Sequence, residues 1–219
     1  MNLKLMQIYQ RLLERFGKQN WWPAETEFEV IVGAILTQAS NWNNVERAIN
    51  NLKSSNLMSA ESIRKTDIEE ISNLIRPVGY YNEKSRKLKI FVNFLYERYE
   101  GNLTKLFELD TEKLRRELLS VWGIGQETAD SIILYAANKP TFVIDAYTKR
   151  IMSKLGFATE DTTYHDLKKF FELRIPNDIR IYKEFHALLV ELGKNYCKVK
   201  PRCDICPLND MCNESTKNV

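Results

Sequence analysis

The sequence predicts an all-α protein, on three observations. Apolar residues recur at helical spacing through most of the 219 residues, alternation with period two is almost absent, and Gly101, Gly123, Gly125 and Gly156 fall between the periodic stretches as caps and turns. The first such stretch follows a helix-starting run with Pro23 and Glu25. From Thr26 to Gln38 it places Phe28, Ile31, Val32, Ile35 and Leu36 at i, i+3, i+4, i+7 and i+8. Similar periodicity runs from Val45 to Leu52, Ile63 to Ile75, Ser85 to Tyr99 and Thr111 to Val121. It resumes from Gln126 to Ala137, Ala146 to Leu155 and Lys183 to Leu192. Eight or more short helices fit this pattern better than any sheet.

A chain of this length can bury one substantial core or two small ones. Its 32 basic and 29 acidic residues leave a net charge of +3, too small to diagnose a nucleic-acid partner. The distribution says more. Lys84, Arg86, Lys87 and Lys89 crowd six positions, and Lys194, Lys198, Lys200 and Arg202 cluster near the C-terminus. A solvated helix face accounts equally well for any one such cluster. No charged n-region with an apolar h-region opens the chain, and nothing resembles a membrane span, so an intracellular, cytoplasmic protein associated with the nucleoid is expected. No low-complexity tract or short-period repeat appears.

Four cysteines, Cys197, Cys203, Cys206 and Cys212, lie in the last 23 residues as C-x5-C-x2-C-x5-C, and none precedes them. Disulfides would need an oxidising compartment. A zinc site usually brings two short ligand pairs, whereas only Cys203 and Cys206 are close here. A [4Fe-4S] cubane needs more widely spread thiolates and suits Pro207 directly after a cysteine, so the cluster is favoured over zinc. A loop stapled in this way, with basic residues interleaved, points to a polyanionic partner.

The most informative internal segment runs from Leu118 to Ala129 through Trp122-Gly123-Ile124-Gly125-Gln126-Glu127. Two glycines around one apolar residue let a helix stop, turn and restart, with Ile124 as the buried pin. The restart aims unsatisfied N–H groups outward, where a phosphate can bind without any reading of sequence. A plain connection between helices is the alternative. Twenty residues on, Asp145 follows the apolar run Thr141-Phe142-Val143-Ile144 and opens a helix. An ordinary N-cap explains it, and a cap facing a cleft can also be a catalyst.

Helix, G-I-G turn, helix, V-I-D and a four-cysteine loop together resemble the helix-hairpin-helix DNA glycosylases of the endonuclease III type. The resemblance runs from about Phe28 through Cys212. It includes Leu36-Thr37-Gln38, similar to a segment whose glutamine probes the gap left by an extruded base. It also includes Val78-Gly79-Tyr80-Tyr81-Asn82-Glu83-Lys84, similar to a loop that wedges into the duplex. Where the family usually has six residues between its first two cysteines, this chain has five. The resemblance implies two helical lobes: a six-helix barrel-like domain over residues 22–136, with the hairpin at about 111–137, and a cluster domain from 1–21 plus 137–219. A DNA cleft would lie between them with Asp145 near its base, and a monomer would bind double-stranded DNA carrying a damaged base. Gly123, Gly125, Lys84 and Lys149 would hold phosphates; Gln38, Trp22, Tyr80, Tyr81, Glu127 and Tyr147 would line the lesion pocket or enter the duplex.

Chemistry on a base requires taking it out of the stack. Asp145 is the expected catalytic residue, stabilising positive charge on the deoxyribose and orienting or deprotonating water. Family members that also nick the strand carry a lysine just after the hairpin, which attacks the sugar to form an imine. Here that position is Glu127, so a monofunctional glycosylase that leaves an abasic site is expected. Alkylated purines such as 3-methyladenine carry a positive charge, so they leave easily as neutral bases and, while still charged, stack on aromatic rings, of which Trp21, Trp22, Trp42, Tyr80, Tyr81 and Tyr147 are at hand. Trp21-Trp22-Pro23 resembles the 3-methyladenine branch of the superfamily. The alternatives are a lyase for oxidised pyrimidines, a glycosylase for mismatched thymine, uracil or 8-oxoguanine, and a catalytically silent DNA-binding cluster protein. Neither His165 nor His186 sits in a metal-binding or nucleophilic set, and His186 is expected to be a satisfied core residue.

Overall fold

The computed structural model describes residues 3–212. The outermost positions of the expected cluster domain, 1, 2 and 213–219, lie outside them. Among the described residues there are α-helices and short 3-10 or π turns, and no strand. The helices are α1 (Leu3–Phe16), α2 (Glu27–Leu36), α3 (Trp42–Ser54), α4 (Ala60–Lys65), α5 (Ile68–Leu74), α6 (Tyr81–Tyr99), α7 (Leu103–Phe107), α8 (Thr111–Ser120), α9 (Gln126–Ser131), α10 (Ala146–Lys154), α11 (Tyr164–Glu172) and α12 (Ile179–Asn195). Their starts are written in side chains that accept from first-turn N–H groups: Thr26, Asn41, Ser59, Asn102, Asp110, Asp145, Thr163 and Asp178.

Three features depart from the periodicity. The stretch from Ile63 to Ile75 divides, because Thr66 and Asp67 are both extended (ψ 142° and 145°) and begin a new helix. The stretch from Gln126 to Ala137 is α-helical only to Ser131; Ile132–Ala136 then forms a π-turn, all five residues buried. Helix α7 is too short to show a period and is announced by its cap, whereas α11 places Tyr164, Leu167 and Phe171 on one face.

Contacts divide the chain into two compact units, Trp22–Lys139 and the remainder of the described chain. In the first, nine of the ten residues of α2 are buried, packed by α3, α6 and the π-turn. In the second, α12 packs on α10 and α1, with Leu5, Ile8 and Leu12 of α1 fully buried at helical spacing. An aromatic cluster fills that unit: Phe142 stacks on Phe171 at 4.0 Å and 7°, and Tyr182 and Phe185 meet it edge-on. Removing one such ring to alanine costs about 3–5 kcal/mol. Phe142 of this cluster lies three residues before Asp145 in the chain, so its packing helps fix where that carboxylate emerges.

Candidate functional site

Asp145 ends a buried, extended run. Thr141, Phe142, Val143 and Ile144 are each at most 4% exposed, yet they belong to no sheet, so their backbone groups need side-chain partners. Two come from α11: Glu172 accepts from the Phe142 N–H at 2.9 Å, and the Tyr164 hydroxyl accepts from Ile144 N–H at 3.5 Å. Asp145 then caps α10, its Oδ1 accepting the Thr148 N–H at 2.7 Å. Its Oδ2 lies 3.8 Å from His186 Nε2, and the two side chains are 13% and 6% exposed. Burial drives the His186 pKa below its ordinary value, and Asp145 opposes that shift. The carboxylate is thus fixed through one oxygen, partly accessible, and backed by a buried imidazole.

The hairpin joins α8 to α9 through Val121–Gly125. Gly123 has φ +86°, and a Cβ there would meet the Lys87 side chain at 2.5 Å, so both backbone conformation and space require glycine. Ile124 is buried, as expected of the pin, and Gly125 is open and caps α9. Buried Asp130 of α9 takes a two-pronged bond from Arg115 of α8, at 2.9 and 3.2 Å, which locks the two helices together. Gln38 braces the turn from α2. Its Nε2 donates to the Gly123 carbonyl (3.0 Å) and to the Thr128 hydroxyl (2.9 Å), and its Oε1 accepts from Lys87 Nζ at 2.6 Å. Filling a gap in DNA would cost Gln38 these three bonds; here it positions the hairpin.

Lys84 is corrected. Expected on phosphate, it is only 2% exposed, and its ammonium donates to the Leu36 carbonyl at 2.9 Å and the Val78 carbonyl at 3.0 Å. It ties the end of α2 to the loop before α6. Burial, with the like charge of Lys87 second, pushes its pKa down to about 8. Lys149 is exposed on α10. Of the aromatic residues, Trp22 is taken up by packing against Trp42, Tyr135 and Gly33, and Tyr147 lies against Gly193 beneath Arg150. Tyr81 lies half-buried under Arg76. Tyr80 is 73% exposed and held left-handed (φ 46°). Trp122, at the hairpin tip, is 48% exposed and carries the Arg86 guanidinium 4.6 Å above its ring. Glu127 is exposed in the first turn of α9.

All four cysteines line one small pocket, with Lys154, Tyr196 and Arg202 among its walls. Burial raises the Cys197 thiol above its ordinary range and takes Cys206 up to about 11. A bound metal cation offsets such a cost for thiolates, and four thiols lining one pocket are a donor set that fits an iron–sulfur group. Cys197, Cys203, Cys206 and Cys212 would hold it. The loop hangs from α10: Arg150 donates to the carbonyls of Cys197 (2.8 Å) and Gly193 (3.2 Å), and Cys212 Sγ lies 3.5 Å from the Lys154 carbonyl. At 1.5 Å per residue, these anchors sit about 8–14 Å along the helix from its cap at Asp145.

Residues 32–177 match the family model for HhH-GPD superfamily base excision DNA repair proteins. The chain belongs to that superfamily. It is a DNA glycosylase, and residues 199–212, containing three of the four cysteines, match the iron–sulfur binding domain of endonuclease III. A Methanocaldococcus jannaschii protein provisionally named as a DNA repair glycosylase is 50% identical over 210 residues, 95% of each chain. Endonuclease III of Sulfolobus acidocaldarius is 30% identical, covering 88% of this chain and 84% of its own. Among solved structures, the H. pylori 3-methyladenine DNA glycosylase bound to 1,N6-ethenoadenine matches at TM-score 0.77 and 27% identity, over 87% of this chain and 97% of that one. An endonuclease III–DNA complex shares the fold at TM-score 0.85 and 22% identity, over 98% and 96%.

The sequence pattern singled out Asp145, the hairpin glycines and the cysteines as candidates, and three further residues come beside them only in the structure. His186 looked like part of an apolar helix face, because nothing in the chain order brings α12 to residue 145. Trp122 and Arg86 stood in segments already singled out, yet their stacking depends on α6 crossing the hairpin. Among the described residues no helix is long and apolar enough to cross a membrane.

Proposed function

We propose that the protein is a monofunctional glycosylase for alkylated purines such as 3-methyladenine, which hydrolyses the N-glycosidic bond and leaves an abasic site. One observation carries this: Glu127, exposed in the first turn after the hairpin, occupies the position where strand-nicking relatives carry the imine-forming lysine. A carboxylate cannot form an imine. Without a lysine to attack the sugar, the enzyme depends on a base that departs readily. A methylated purine carries a positive charge and leaves neutral, so it needs no proton donor. The likeness to a 3-methyladenine glycosylase, at 27% identity over nearly all of that chain, supports the same choice.

In this reading Asp145 is the catalytic residue. Its Oδ1 is held by the α10 N–H, so the carboxylate stands preorganised to stabilise the oxocarbenium-like sugar and to take a proton from water. Gly123 and Gly125 present the hairpin to the phosphate backbone, with Lys149 as a further phosphate contact. Tyr80 and the Trp122–Arg86 pair enter or flank the duplex. Trp22, Tyr81 and Tyr147, each of intermediate exposure, and Glu127 serve the lesion pocket; a carboxylate there favours a cationic base. The cysteine loop would hold a cubane cluster that supplies a rigid fold to the basic loop.

The test is a panel of duplexes carrying single lesions, with the freed bases identified by mass. Release of 3-methyladenine or a related methylated purine ahead of oxidised pyrimidines, uracil and 8-oxoguanine is expected; release of thymine glycol or uracil first would overturn the substrate assignment.

A further inference from the structure

The carboxylate proposed above as catalytic has a neighbour that the mechanism so far leaves unused. His186 lies on α12, 41 positions along the chain, and its Nε2 is 3.8 Å from Asp145 Oδ2. That separation is beyond a hydrogen bond and within ion-pair range, so what passes between them depends on whether the imidazole is charged.

Other charged or titratable groups stand on α12 and on the helices packed against it. On α10, which packs against it, Lys149 is exposed and Arg150 is bound to the Gly193 and Cys197 carbonyls. On α1, Arg11 is paired with Asp210, Arg15 donates to the Tyr196 hydroxyl, and Tyr9 packs edge-on against Phe185. On α12 itself Glu184 accepts the Gln19 N–H at 2.7 Å, and burial pushes Lys183 and Tyr182 toward their neutral forms. Asp145 acts on His186 through its charge, opposing the effect of burial.

We propose that His186 is a positioning residue for glycosidic-bond cleavage: uncharged behind Asp145 it leaves the carboxylate's negative charge whole, and on taking a proton from solvent it draws Oδ2 into an ion pair and shuts off base release. This rests on Asp145 being catalytic. The protonated imidazole would cancel the charge that stabilises the oxocarbenium-like sugar and would hold the oxygen that must accept the proton of water. Burial favours the neutral imidazole, so the enzyme is in its active form at neutral pH and loses activity on acidification below the ordinary histidine range. Folding follows the same sign. Because the folded pKa is depressed, the unfolded chain binds more protons between the folded value and about 6.5, and stability falls as pH drops through that window.

The test is single-turnover base release from a duplex carrying a methylated purine whose positive charge is fixed, measured against pH for the full-length wild-type protein, H186N and D145N. The wild type should lose about tenfold in rate per pH unit on its acid side, and H186N should stay within about twofold over that range. If H186N keeps the wild-type acid limb while D145N is inactive, His186 does not control the carboxylate and this proposal falls alone. If D145N is as fast as wild type, the catalytic assignment falls and this proposal with it. Should H186N fail to fold, H186Q takes its place, and the imidazole titration in the wild type gives an independent measurement. The chain has two histidines, so H165Q assigns the signals. His186 must protonate at the pH of the acid limb, and protonation more than about one unit away contradicts the proposal.

Discussion

At the scale of single residues, one carboxylate carries both a helix start and the proposed chemistry, and the two can be separated. Asparagine at position 145 keeps an oxygen for the Thr148 N–H, so D145N should change stability by less than about 1 kcal/mol. Base release should fall by about 10²–10³-fold or more. Circular dichroism melts beside a release assay measure both. Lys84 and Arg86 make a second contrast. Lys84 donates to two backbone carbonyls and Arg86 is exposed over Trp122. K84M should therefore leave the slope of log affinity against log salt unchanged, whereas R86A should reduce its magnitude by about one. The sequence made Asp145 visible, since an aspartate after an apolar run is a local signal. It could not reveal that Lys84 points inward, because that depends on where the carbonyls of Leu36 and Val78 arrive. His186 was hidden for the same reason.

Among elements, the hairpin and α10 each combine a rigid start with a fixed anchor. Gly123 needs a positive φ and space beside Lys87. G123A should destabilise the fold by about 1–3 kcal/mol and weaken DNA binding together, read by denaturant melts and by titration of an undamaged duplex. Helix α10 begins at Asp145 and ends on the cysteine loop. Intact protein should carry four iron and four sulfide per chain, the content of a cubane; one zinc per chain would favour the other metal. Removing the iron should lower the melting temperature more than it alters the intrinsic chemistry, because the loop's anchors on α10 sit about 8–14 Å from the Asp145 cap. Helices α2, α3, α6, α8, α10 and α12 were legible from their apolar period, whereas α1 was not singled out although Leu5, Ile8 and Leu12 repeat at helical spacing. The π-turn at Ile132–Ala136 was not legible, because its five residues are all apolar and the helical spacing read from Gln126 to Ala137 could not mark where α gives way to π. Helix α11 was missed although it supplies Glu172 and Tyr164, which hold the run before Asp145.

The whole molecule belongs to the HhH-GPD superfamily, and the proposal for its chemistry turns on one exposed position, Glu127. Family membership was legible because its marks are local and ordered: a G-I-G turn, a V-I-D segment and a cysteine loop. Lesion choice was less so, since aromatic residues such as Trp22 and Tyr147 prove to be partly consumed by packing that no spacing rule foretells. The absence of lyase chemistry is the claim on which the proposed mechanism turns. It is tested most directly by incubating the enzyme with an end-labelled duplex carrying a methylated purine and resolving the strands with and without alkali, with borohydride in a parallel sample. Strands that stay intact until alkali is added, with no borohydride-trapped protein–DNA adduct, are predicted; strand breaks before alkali, or a trapped adduct, would contradict it.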